Sequence, residues 1–118
     1  MIDIRRQPDG VYRVRVSGPI SRADVVGAWE KVREATATGE KIKVLEIIES
    51  FSGISLEALV EDLKHGLPMM ERVSQAAVVT DEAWLRGMTD LADHFVGAEV
   101  RAFRMNQMDE ARRWLGMV

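Results

Sequence analysis

Ser50, Ser52 and Ser55 fall close together where an apolar run ends and a helical pattern begins. Residues 42–56 read IKVLEIIESFSGISL, a β-branched run, a short Ser/Phe/Gly turn and the first leucine of an amphipathic stripe. In an α/β domain such a stretch delivers its loop to the carboxyl edge of the sheet, where open sheets bind ligands. A hydroxyl beside a helix N-terminus suits phosphorylation or an anion contact, because unpaired N–H groups and the helix dipole stabilise negative charge. Ser52 and Ser55 are the candidates for such modification. A turn that simply joins strand to helix is the plainer account of the same residues.

The same edge should collect Ser21, Glu49, Thr80, Asp81 and Asn106. Capping accounts for Ser21, Ser55, Asp81 and Asn106, each worth about 1 kcal/mol at the start of a helix. Ser50, Phe51 and Ser52 have no such role. Phe51, Ile54, Leu67, Met69 and Met70 bring more apolar surface to this edge than a turn requires. Flexible methionines can line an adaptable pocket or fill a core, and filling the core is the simpler use. The residues expected to meet a ligand or partner are Ser50, Phe51, Ser52, Gly53, Ile54, Ser55, Met69, Met70 and Trp84.

Catalytic signatures are scarce. His65 and His94 stand apart with no HxxxH or HExxH pairing, whereas a metal site needs convergent ligands. The nine glycines form neither GxGxxG nor GxxxxGK[ST], and no GxSxG elbow is present. Glu57, Glu61 and Asp62 lie together on one helix, where a solvated or structural role is the simpler reading. An enzyme would need Asp62, His65 and a rim serine to converge within hydrogen-bond reach. No catalytic residue, metal or cofactor is expected.

The 118 residues suit one domain, 1–118, with 47% hydrophobic and 30% charged residues. The absence of cysteine excludes disulfides and thiolate metal sites. A net charge of −3 argues against a nucleic-acid binder, despite the basic pairs Arg5 with Arg6, Arg13 with Arg15 and Arg112 with Arg113. No apolar run approaches a membrane span, and the charged start MIDIRRQPDG lacks a signal peptide's apolar region. A cytoplasmic protein is expected.

The elements that must position these residues follow from periodicity. Gln7-Pro8-Asp9-Gly10 is a turn between strands over residues 1–6 and 11–16. In the second strand Tyr12, Val14 and Val16 alternate with Arg13 and Arg15. Ser21 with Asp24 forms a capping box for a helix burying Val25, Trp29 and Val32, with Gly39 as its stop. Residues 42–48 form a strand with Glu46 inside its apolar run. Leu56, Leu59, Val60, Leu63 and Leu67 then mark a second helix, ended by Gly66 and Pro68. Residues 73–80 are a fourth strand, followed by a helix carrying Trp84, Met88, Leu91, Ala92 and Phe95. Residues 98–104 are the last strand, and Asn106 with Asp109 opens a final helix carrying Met108, Ala111, Trp114 and Leu115.

The order ββαβαβαβα predicts an α/β domain with a mostly parallel five-stranded sheet and an N-terminal antiparallel hairpin strand. Sequential strand order is preferred over a doubly wound arrangement. The charges Arg13, Arg15, Glu46 and Arg101 are hard to bury under a second helical layer, which places the helices mainly on one face.

LEIIESFSGISLEALVEDLKHGLP, then RVSQAAVVTDEAW, then EVRAFRMNQMDEARRWL, together resemble the SpoIIAA-like (STAS-like) bacterial family. Phe51-Ser52-Gly53, Glu61-Asp62, Val78-Val79 with Trp84, and residues 110–115 carry the likeness, which spans essentially the whole chain. The resemblance implies a STAS-type fold, akin to anti-sigma-factor antagonists and more distantly to CRAL-TRIO lipid-transfer domains. In those antagonists a serine at the start of the helix after the third strand is phosphorylated by a partner kinase, which switches partner binding. The matching region here is Ser52-Gly53-Ile54-Ser55, without the usual Asp-Ser-Ser/Thr-Gly pattern.

Together these readings lead to a non-catalytic binding or regulatory module acting through the loop after the third strand and the following helix. Its partner is either a protein, with phosphorylation as the gate, or a lipid-like or other apolar small molecule that the domain carries. Phe51, Met69, Met70 and Trp84 would surround such a molecule. The alternating sheet face and strand edges also offer surfaces for a homodimer.

Overall fold

The computed structural model describes residues 1–49, 52, 53, 55, 71–81 and 99–117. The helices expected after the third and fourth strands lie outside the described residues. The elements in order are β1 (Ile2–Arg6), β2 (Tyr12–Val16), α1 (Arg22–Ala35), β3 (Ile42–Ile48), β4 (Val73–Val79), β5 (Glu99–Phe103), a 3₁₀ turn (Met105–Gln107) and α2 (Met108–Trp114). The strands form one sheet in the order β1-β2-β3-β4-β5. Only β1 with β2 is antiparallel; the remaining pairs are parallel, as the strand–helix repeat demands.

The hairpin forms because its turn residues supply the required geometry. Gly10 takes φ +87 and donates its N–H to the Gln7 carbonyl at 2.9 Å, while Asp9 Oδ1 accepts from the Val11 N–H at 3.0 Å. Ser21 caps α1 as its sequence suggests. Its Oγ accepts from the Asp24 N–H, and Asp24 Oδ2 accepts from the Ser21 N–H at 2.8 Å. That second bond holds the Asp24 carboxyl below its ordinary range.

Period-two alternation divides the core between the two sheet faces. On one face Leu45, Ile47, Ala77, Val79 and Phe103 pack with Ala111 of α2 and with Leu115, which caps its C-terminus. Trp114 adds a tilted ring contact to Phe103 at 6.1 Å. Lys43 donates from Nζ to the Leu115 carbonyl at 2.9 Å, where a helix C-terminus favours a cation. On the other face Ile42, Val44, Val73 and Ala76 pack with Trp29 and Val32 of α1.

The two described helices therefore cover opposite faces of the sheet. Arg13, Arg15 and Arg101 pair across strands with Leu45, Ile47 and Ala77, and so share the α2 face. Glu46 pairs with Val14 and Val78 and points to the α1 face. Glu46, expected from the sequence to stand with the arginines, is separated from them by the pleat.

At the carboxyl edge the loop after β3 returns to the segment before α1. Ser52 forms a parallel bridge with Pro19, donating its N–H to the Gly18 carbonyl at 2.9 Å and accepting from the Ile20 N–H at 2.8 Å. Gly53 follows at φ +86, and a Cβ there would stand 3.0 Å from the Ile20 carbonyl oxygen. Both the left-handed backbone and the close approach require glycine. Gly53→Ala is expected to lower stability by about 1–3 kcal/mol, measured by urea denaturation. A loss within experimental error would show that this crossing is not a fixed part of the fold.

Candidate functional site

Of the loop residues singled out in the sequence, Ser52, Gly53 and Ser55 are described, and all three are exposed. Ser52 has the structural role that its sequence did not reveal, through its backbone rather than its hydroxyl. Ser50, Phe51, Ile54, Met69, Met70 and Trp84 lie outside the described residues. So do Asp62, His65 and His94, the groups considered for acid–base or metal chemistry. Asp81 is exposed, and the helix it would cap lies outside the described residues.

Asn106 is a correction. It lies inside the 3₁₀ turn before α2, and Gln107 occupies the helix-entry position. Gln107 Oε1 accepts from the Arg104 N–H at 2.9 Å, so the turn is closed by a glutamine reaching back. A turn of 3₁₀ shifts the helix start by a few residues, a register that side-chain pattern alone does not specify.

Among the described residues a partly open apolar pocket lies between α1 and the sheet. A cavity of about 110 Å³ runs beneath the helix. Ile2, Ile4, Val14, Val16, Val44, Ile48, Val73 and Ala76 form its sheet side, and Val25, Ala28, Trp29 and Val32 its helix side. The helix residues follow i, i+3, i+4, i+7 spacing, which puts them on one stripe. The sheet residues share the face set by strand parity, which Val73 joins across the register shift at Ile42 and Lys43. Ile20, which leads into α1 and is 2% exposed, completes the wall. Its backbone is the part clasped by Ser52 and Gly53, so the loop buttresses the cavity from behind.

Two polar side chains interrupt this apolar wall among the described residues. Glu46 lines the cavity from the middle of β3, flanked across the sheet by Val14 and Val78. Among the described residues no hydrogen bond or ion pair reaches its carboxyl. The residue keeps partial exposure where it borders the cavity space, yet its apolar surroundings dominate the electrostatics. Burial pushes its pKa up to about 7. Trp29 lines the same cavity, and its Nε1–H is buried without an acceptor. In the sequence Glu46 reads as a break in a strand and as one of four charges that are hard to bury, and Trp29 reads as a core residue. The available signal was parity: Glu46 shares its face with Val44 and Ile48, beneath the Val25, Trp29, Val32 stripe.

A larger depression of about 480 Å³ lies at the opposite, amino edge, bordered by Arg6, Asp9, Glu40, Lys41 and Lys43 among others. Its mixed charges select no single ligand chemistry. On the α2 face Arg15 Nε lies 3.3 Å from Glu49 Oε1 without hydrogen-bond geometry, and Arg101 stacks over Phe103 at 5.5 Å. Exposed ion pairs of this kind add little stability. The described residues contain no group of three acidic or histidine side chains that could hold a metal ion. No described helix is long and apolar enough to cross a membrane.

The molecule is thus a mixed α/β domain with a sequential sheet and an apolar cavity under its first helix. The SpoIIAA-like family matches residues 11–116, and the chain belongs to that family. A solved structure similar to it is an uncharacterised protein of the DUF3478 family with a SpoIIAA-like fold from Shewanella loihica PV-4. The two align with a TM-score of 0.70 and 25% identity, over 98% of this chain and 92% of that one. No curated protein matches the chain.

The raised pKa of Glu46 has a definite consequence for stability. Its ordinary value is 4.5 and its folded value about 7, so between these the folded state binds more protons than the unfolded. The contribution of Glu46 to stability is fully present below about 4.5 and is lost as pH rises through about 7. The full ionisation cost corresponds to about 3 kcal/mol at most. Glu46→Gln should therefore stabilise the protein above pH 7 relative to the unmutated chain, with the difference shrinking towards pH 4.5. Urea titrations of both proteins across that range test this. A pH-independent difference would mean that Glu46 is not buried as an acid.

Proposed function

We propose that this chain is a non-catalytic binding module that holds a small apolar molecule in the cavity between α1 and the sheet. The supporting observation is the cavity itself, about 110 Å³ with an almost wholly aliphatic described wall. For scale, an apolar protein cavity of roughly 150 Å³ takes up benzene, whereas drug-sized ligands occupy roughly 300 Å³ or more. The occupant is then a body of about five or six carbons, or the tip of a longer chain, rather than a whole lipid. The described wall offers one titratable group and no nucleophile, which suits holding a molecule over transforming it. Ser52 and Gly53 serve the site indirectly, by fixing Ile20.

The direct test is a titration with benzene and with cyclopentane, followed by methyl and indole NMR resonances. Those of Val14, Val25, Val44 and Trp29 should shift saturably. Ala28→Phe, which fills the cavity from the half-buried helix side, should abolish the shifts while leaving the fold intact. Absence of any saturable shift in the unmutated protein would sink the proposal.

A second reading, a protein-partner surface gated by phosphorylation of Ser52 or Ser55, is favoured by one observation. The Ser52 side chain is exposed on a backbone anchored by two hydrogen bonds at the carboxyl edge. A phosphate there would add about −1.5 to −2 charges on a fixed support. Intact-mass analysis of protein from its native host, with and without phosphatase, should reveal a form heavier by one phosphate, mapped to this loop. An unmodified chain under every growth condition would remove the gate.

A further inference from the structure

We infer that the cavity under α1 recognises a protonated amine carried on a short apolar body, with Glu46 as its counter-ion and Trp29 as its aromatic neighbour. The inference rests on the reading of this cavity as a ligand site and specifies the ligand's polar group. Glu46 is the one titratable side chain among the described residues of the wall. Its cross-strand neighbours, Val14 and Val78, are apolar, and no described cation approaches it. A carboxyl placed this way is an unmet group. Buried charges in proteins are paired, and an opposite charge within about 4–6 Å favours the ionised form.

Three observations direct the choice of partner. A ligand carboxylate would face like charge in a low-dielectric wall. An alcohol could hydrogen-bond Glu46 but would leave any ionised state uncompensated. An ammonium supplies both the charge and the donors. Trp29 lines the same cavity, and tryptophan is the aromatic side chain that most strongly attracts a cation to its face. The Trp29 Nε1–H has no acceptor, so it is not bonded to Glu46 and leaves the carboxyl available. The 110 Å³ volume restricts the apolar body to a few carbons.

The experiment compares n-pentylamine, n-pentanol and pentanoate, titrated at about pH 8, where Glu46 is ionised and an alkylamine, like lysine, remains protonated. The Trp29 indole N–H resonance, assigned with Trp29→Phe, reports binding. Pentylamine should bind at least about tenfold more tightly than pentanol, with pentanoate weakest. In Glu46→Gln the amine should lose that advantage while pentanol keeps its affinity, which also shows that the variant is folded. Equal affinity for pentylamine and pentanol, or an amine preference that survives Glu46→Gln, would overturn the inference and leave the cavity reading standing. If none of the three binds and benzene also fails, both fall together.

Discussion

Burial of β3 on both faces and along both edges is the constraint on which the rest of the structure depends. It pairs with β2 and β4 in parallel, and helices cover it from either side. Leu45 and Ile47 belong to the core beneath α2, and Val44 to the core beneath α1. A strand enclosed in this way reads as a near-continuous apolar run, because no side chain along it faces water. Lys43 and Glu46 are the exceptions: Lys43 reaches the Leu115 carbonyl, whereas Glu46 has no described partner. Its position leaves two physical outcomes, a paired charge or a carboxyl bordering open space, and the structure has the second.

The loop after β3 and the cavity are mechanically one unit. Leaving the sheet, the chain pairs Ser52 with residues 18–20, and Gly53 passes close under the Ile20 carbonyl. That clasp fixes where α1 begins, and Ser21 then caps the helix through its reciprocal bonds with Asp24. The position of α1 decides how far Val25, Ala28, Trp29 and Val32 stand from the sheet. A change at the edge loop, whether a substitution or a modification, therefore has a short backbone route to the cavity wall.

Membership in the SpoIIAA-like family accounts for the architecture and not for the site. Folds host many activities, and function is argued from the geometry of particular groups. Here the informative groups lie beneath the first helix, in a wall whose described residues are aliphatic except for Glu46 and Trp29. The solved relative shares the fold across nearly the whole chain.

Much of the fold was legible in the sequence because its signals are local. Gly10 in the hairpin turn, the Ser21–Asp24 box and the Val25, Trp29, Val32 stripe each depend on residues a few positions apart, and each formed as read. The strands were also legible, since β-branched runs ended by turn residues have few alternative structures. The sequential sheet order, preferred because the charges Arg13, Arg15, Glu46 and Arg101 are hard to bury, is the order observed, although Glu46 lies on the face opposite the arginines. Asn106 was misread because a 3₁₀ turn moves a helix start without altering the apolar pattern. The structural task of Ser52 is carried by backbone atoms, which have no sequence signature. By itself, then, the sequence determined the described elements, their order and which residues alternate on each strand. Only the tertiary structure decided that Glu46 faces α1 rather than the arginine-bearing side, and that Ile20 and Ala28 leave a space above it. Parity sorts side chains into two faces, but which helix covers which face, and how closely, depends on contacts between residues far apart in the chain.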